Sequence, residues 1–161
     1  MAEVLLGLGG NLGDPAAAIE AAVGQLRQGG VTVAARSALY RTAPHGVTDQ
    51  PDFVNAALSG RTSLDPHALL RLCLGIEAGL GRVRRERWGP RSLDIDLLAY
   101  DDLVLRAPDL VLPHPRLTER AFVLVPLLDV APDRLIAGRP VRDWAAEVDR
   151  SGVRRIGPPP P

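Results

Sequence analysis

Trp88-Gly89-Pro90-Arg91-Ser92-Leu93-Asp94-Ile95-Asp96-Leu97-Leu98 reads as a stiff polar approach running into a strand. Side chains two residues apart on a strand share a face. Asp94 and Asp96 therefore occupy one face, and Leu93, Ile95 and Leu97 the other. The apolar flanks predict a central strand over residues 93–100 rather than a solvated edge. Two carboxylates this close repel each other unless a cation lies between them. Magnesium suits such a pair, because it takes a few carboxylates and fills its other positions with water and phosphate oxygens. Just upstream, Arg82, Arg84, Arg85, Arg87 and Arg91 crowd one short segment. Carboxylates for a metal beside arginines for phosphate point to phosphoryl chemistry. The glycine-flanked arginine stretch suits a lid over a polyphosphate.

The rest of the chain bounds what that segment can do. At 161 residues it holds one domain with a real core. Residues 1–156 are expected to form that domain, with Gly157-Pro-Pro-Pro-Pro161 as a loose extended tail. The 19 basic and 19 acidic residues cancel, so no global positive field favours nucleic acid. All 19 basic residues are arginine. A Walker-type phosphate loop and lysine Schiff-base chemistry are thereby excluded, and phosphate must be gripped by guanidinium forks. Cys73 stands alone, so neither a disulfide framework nor a cysteine metal site is available. No apolar run approaches a membrane span, and the N-terminus lacks a signal-peptide pattern. A cytoplasmic, monomeric protein acting on small molecules is the expectation.

The elements follow from turn and capping signals. Residues 4–8 read as a buried strand ending in a tight glycine turn over 9–13. Asp14-Pro15 caps a helix that Gly29-Gly30 stops near Gln28. A strand is expected over 31–41, a loop over 42–52 and a strand over 53–61. Ser63 or Asp65 caps a second helix from Pro66 to about Gly79. After the strand at 93–100, Asp101-Asp102 predicts a hairpin turn into 103–105. Short helices are expected around 119–128 and 143–148. The order β-α-β-β-α-β, with a C-terminal extension, is that of an α+β ferredoxin-like sandwich: an antiparallel sheet with two helices on one face.

Other residues carry weaker signals. Gly7-Leu-Gly-Gly-Asn-Leu-Gly13 has the wrong spacing for a dinucleotide fingerprint, and no acid ends the next strand. His114, pinned between Pro113 and Pro115 near Arg116 and Arg120, is poorly explained as core filling. Phe53 lies two residues before Asn55, and Phe122 follows Arg120. Two rings with an adjacent amide could sandwich and read a flat heterocycle.

Taken in order, these segments resemble the 6-hydroxymethyl-7,8-dihydropterin pyrophosphokinase family. The resemblance rests on residues 88–98, on Leu8-Gly-Gly-Asn-Leu-Gly13 and Tyr40-Arg-Thr-Ala-Pro44, and on Gln50-Pro-Asp-Phe-Val-Asn-Ala56. Ile76-Glu77, Gly81-Arg-Val-Arg84 and Pro113-His-Pro-Arg-Leu117 complete it. It spans residues 4 to about 145 and implies transfer of the β,γ-pyrophosphate of ATP to the hydroxymethyl group of the dihydropterin. It further implies that Asp94 and Asp96 hold two magnesium ions, and that Arg82 and Arg91 stabilise charge on the transferring group. Arg84, Trp88, His114 and Arg120 would lie on the ATP side, with Glu77 near the nucleoside. Phe53 and Phe122 would stack on the pterin. Asn55 and Thr42, with the backbone at Pro44, His45 and Gly46, would read its polar edge. The chain departs from the family pattern in four places. Gly10 stands where serine is usual, Phe53 stands where tyrosine is also common, Leu74 stands where some members carry a polar residue, and the stretch Arg84-Arg-Glu-Arg87 is one residue short. Two other uses of the same residues are a magnesium-dependent nuclease or phosphotransferase, and a module that binds a nucleotide or pterin without turnover.

Overall fold

The computed structural model describes residues 1–44, 49–80 and 93–157. Strand β1 (Ala2–Gly10) leads into helix α1 (Pro15–Gln28), whose first turn is capped by the Asp14 carboxylate accepting the Ala17 N–H at 3.1 Å. Strands β2 (Val31–Arg36), β3 (Tyr40–Thr42) and β4 (Phe53–Thr62) follow. Helix α2 (Pro66–Gly79) is capped by Asp65, not Ser63: its carboxylate accepts the Ala68 N–H at 2.8 Å. Strand β5 (Asp94–Tyr100) carries the aspartate pair. Beyond it come β6 (Leu105–Arg106), β7 (Val111–Leu112), a 3₁₀ turn (Leu117–Glu119) and α3 (Ala121–Val130). A small β8–β9 ribbon (Leu135–Ile136 and Arg139–Pro140), α4 (Val141–Glu147) and β10 (Val153–Arg155) end the described chain.

The main sheet runs β10-β3-β4-β1-β5, with β2 also on β4, and every pair is antiparallel. β1 is central and regular against β4, from Ala2 opposite Thr62 to Gly10 opposite Val54. The pleat then sorts the side chains. Val4, Leu6 and Leu8 join Val54, Ala56, Leu58, Leu93, Ile95 and Leu97 beneath α1 and α2, which contribute Ile19, Val23, Leu26, Leu69, Cys73 and Ile76. On the opposite face, Leu5, Ala57, Leu98 and Ala99 meet Val123, Leu124 and Leu127 of α3 and Val141 and Ala145 of α4. Each fully buried aliphatic side chain contributes roughly 1.5–3 kcal/mol. The alternation of α1 and α2 thus fixes one face of the sheet, and the C-terminal helices fix part of the other.

Several sequence expectations are corrected. The strand expected over 31–41 is two strands, because Ser37 and Ala38 leave the ladder. The first strand continues through Gly9 and Gly10, so the turn begins only at Asn11. The hairpin expected from Asp101-Asp102 does not form: 105–106 pairs with 111–112 as a separate ribbon rather than with β5. Asp101 adopts φ 46°, and the Leu103 N–H closes a tight turn onto the Tyr100 carbonyl. The later helices begin and end a few residues away from 119–128 and 143–148. β5 is an edge strand rather than a central one. Its apolar flanks reflect helices on both faces, not a strand on both sides. The C-terminal extension adds β10 to the sheet and covers the second face, which the sequence had left open.

Candidate active site

The face of the sheet that α3 and α4 leave uncovered is assembled by register. Asn55 and Asp94 both sit opposite Gly9, on either side of β1, and Asp96 sits opposite Gly7. Phe53 and Asn55 share the face of Ala57. Gly7 and Gly9 share that of Leu5, so all of these side chains belong to one surface. The two glycines add no side chain of their own between Asn55 and the aspartates. At Gly9 none fits, because a Cβ there would lie 2.3 Å from Asn55 Oδ1, and over Gly7 the Leu98 side chain lies 3.5 Å from where a Cβ would be. Strands are about 4.8 Å apart, so Asn55 and Asp94 rise from backbones about 10 Å apart. Sequence reading missed Gly7 and Gly9 as site residues. Glycine inside a strand signals close backbone approach, but only the register shows what approaches.

On one side of β1 lies an amide hydrogen-bonded to a hydroxyl. Asn55 Nδ2 donates to Thr42 Oγ1 at 2.9 Å, and both residues are 8% exposed. Phe53 is half-buried beside them, opposite Thr42. Pro44 is the last described residue before a gap; His45 and Gly46 lie outside the described residues. Asn11, buried at the end of β1, donates through Nδ2 to Gln50 Oε1 and to the Pro51 carbonyl, both at 2.8 Å, and so ties the far end of that loop to the glycine turn.

On the other side, Asp94 and Asp96 are half-buried on one face of β5, as their spacing requires. His114 is tied to β5 by its own N–H, which donates to the Leu98 carbonyl at 2.8 Å. Its Nδ1 accepts the Arg116 N–H at 3.2 Å, so the neutral ring keeps its proton on Nε2. Burial holds the His114 pKa below its ordinary value. The Asp96 carboxylate pulls it upward, while Arg120 and Arg116 push it down. Burial likewise lowers the Arg120 pKa, and Asp96 again opposes the shift. Histidine, arginine and aspartate thus feel one another's charge. The Arg120 guanidinium also lies 5.5 Å from the centroid of Phe122, which packs half-buried at the edge of the α3 cluster.

Glu77 comes from α2, on the helical side of the sheet. It is 4% exposed, and Oε2 accepts the Ile95 N–H at 2.7 Å. It therefore fixes the backbone between the two aspartates at the open edge of β5. Cys73, one helical turn away, is no nucleophile: burial pushes its thiol up to about 12. Arg82, Arg84, Trp88 and Arg91 lie outside the described residues. Among the described residues no cluster of three or more histidines, cysteines or acids gathers, and no helix is long and apolar enough to cross a membrane. The Asp94–Asp96 pair still fits magnesium, which asks the protein for only one or two carboxylates and leaves the remainder to water and phosphate.

The model of the family 7,8-dihydro-6-hydroxymethylpterin-pyrophosphokinase (HPPK) matches residues 5–132. The 2-amino-4-hydroxy-6-hydroxymethyldihydropteridine pyrophosphokinase of Methylorubrum extorquens is 54% identical over 157 residues, covering 97% of this chain and 99% of that protein. The enzyme of the same name from Bacillus subtilis is 41% identical over 152 residues, covering 92% and 87%. The mitochondrial folate synthesis bifunctional protein of Arabidopsis thaliana is 45% identical over 128 residues, which are 80% of this chain but 23% of that one. A crystal structure of an HPPK-DHPS in complex with substrates superposes with a TM-score of 0.74 at 14% identity, over 96% of this chain and 46% of that one. At that identity the likeness concerns the fold alone, and the chain spans just under half of that longer protein.

Proposed function

Because this chain belongs to the 7,8-dihydro-6-hydroxymethylpterin-pyrophosphokinase family, we propose that it transfers the β,γ-pyrophosphoryl group of ATP to 6-hydroxymethyl-7,8-dihydropterin, a step of folate synthesis. The observation that carries the assignment is the common face of Thr42, Asn55, Asp94 and Asp96 on either side of Gly7 and Gly9. A flat heterocycle hydrogen-bonded at Thr42–Asn55, and stacked by Phe53 and Phe122, would direct its hydroxymethyl arm toward the carboxylates. His45 and Gly46 complete its polar edge with Pro44.

The hydroxymethyl oxygen attacks the β-phosphorus. The bond from that phosphorus to the α,β-bridging oxygen breaks, AMP departs, and the hydroxyl proton is lost. The protein's contribution is positioning and charge placement. Asp94 and Asp96 would hold two magnesium ions, whose chemistry is to neutralise phosphate charge and lower the pKa of the attacking hydroxyl. Asp96 is the candidate to receive the proton. Arg120 and the Nε2–H of His114 would meet the same charge from the triphosphate side, and the family resemblance adds ATP-side roles for Arg84 and Trp88, which lie outside the described residues. Arg82 and Arg91 stabilise the transferring group. Glu77 serves the ATP side by fixing the strand edge at Ile95. The strand order, with β2 and β3 together taking the second strand's place, supports a ferredoxin-like class. The protein is proposed to act as a cytoplasmic monomer.

Product analysis tests the assignment. With ATP, magnesium and the dihydropterin, pterin-dependent AMP is expected, and EDTA should abolish it. ADP, or AMP formed without pterin, would overturn the proposal.

A further inference from the structure

The second strand of the sheet slips by one residue where it bends, and the slip decides which side chain faces the pterin side. Arg36 of β2 sits opposite Leu58. Kept in step, that register would place Leu39 opposite Asn55 and Arg41 opposite Phe53. The observed partners are Tyr40 and Thr42. Because side chains alternate, a one-residue slip exchanges the two faces. Thr42 gains the place beside Asn55, and Arg41 is turned away.

Two side chains hold the slip. Ser37 Oγ accepts the Ala57 N–H at 2.8 Å and donates to the Ala38 carbonyl at 2.7 Å, replacing ladder bonds at the bend. The Ala38 N–H then donates to Asp129 Oδ2 at 3.0 Å, and the Tyr40 hydroxyl donates to the same oxygen at 2.7 Å. Ala38 is fully buried and Tyr40 is 7% exposed, so both donors depend on that acceptor. Asp129 is itself exposed, with Oδ2 turned inward, and it belongs to α3, the helix that carries Phe122. One carboxylate therefore ties the strand bearing Thr42 to the helix bearing one of the two rings.

We infer that Asp129, acting with Tyr40, is a positioning residue for the pterin: it enforces the slip that sets Thr42 against Asn55. The inference rests on the pterin-face assignment above. The test is the KM for 6-hydroxymethyl-7,8-dihydropterin and for ATP, measured separately in Asp129→Ala, Asp129→Asn and Tyr40→Phe, with Asn55→Ala as reference. Loss of both hydrogen bonds in Asp129→Ala is expected to raise the pterin KM about tenfold. The ATP KM should stay within about twofold. Asp129→Asn, which keeps one acceptor oxygen, should recover part of the loss. Tyr40→Phe, which keeps the ring, should raise the pterin KM less, and it decides the matter alone if Asp129→Ala does not fold. A pterin KM unchanged in Tyr40→Phe and Asp129→Ala, or both KM values raised equally, overturns the inference while Asn55→Ala still impairs pterin binding. A silent Asn55→Ala would remove the pterin-face assignment, and this inference with it.

Discussion

At Gly9 a hydrogen atom decides whether the site exists. The Asn55 side chain lies over it, so a methyl group there displaces the amide from Thr42. Gly9→Ala is expected to raise the pterin KM by an order of magnitude or more, with little change in the ATP KM, as steady-state kinetics against each substrate would show. Asp96 faces the opposite demand. Asp96→Asn keeps the shape and removes the charge, so it is expected to lower kcat by about 10² or more in the range of lost electrostatic stabilisation, with far-ultraviolet circular dichroism unchanged. Full turnover by this variant would remove Asp96 as proton acceptor. The Asp-x-Asp spacing and the Phe53–Asn55 pair were legible in the sequence because a strand's period of two is local. Gly7 and Gly9 were not, since their meaning lies in two neighbouring strands far along the chain.

Among the elements, the bent second strand shows where sequence reading stopped. Residues 31–41 have the apolar content of one strand, and nothing local marks Ser37 as a break. The break is bought by groups at a distance: Ala57 for Ser37, and Asp129, 91 residues on, for Ala38. Helices α1 and α2 were legible to within a residue or two because Asp14-Pro15 and Asp65-Pro66 announce their starts and Gly29 the first one's end. The Tyr40 hydroxyl makes the bend visible to pH. Burial first, and then the Asp129 carboxylate, push its pKa up from 10.0 to about 12. A phenol with a raised folded-state pKa keeps its proton where the unfolded chain has lost it. Its contribution is therefore complete below pH 10 and falls away as pH rises from 10 toward 12. Urea unfolding at successive pH values should show this decline in the native protein and a shallower one in Tyr40→Phe.

The whole molecule is closed by its last described strand. β10 covers the outer edge of β3, with Val153 opposite Thr42, and the Ile156 N–H donates to the Leu39 carbonyl at 2.9 Å. A chain ended before Val153 is expected to keep its helical content but to bind pterin more weakly and to associate, because a bare strand edge is a template for pairing. Analytical ultracentrifugation beside pterin titration would show both effects. The extension could not be placed from sequence, since three residues of strand after a run of charged turns carry no period. The central position of β1 has a kinetic side as well. Its two partners begin about fifty and ninety residues downstream, and Glu3 is bonded to the carboxylate of Asp101 across 98 positions. Such distant pairings require large loops to close before any of them forms, and long-range pairing of this kind slows folding. The first strand of the chain thus completes its ladder only once residues 94–100 are in place, and Val4, Leu5, Leu6 and Leu8 leave water only when helices close over both of its faces.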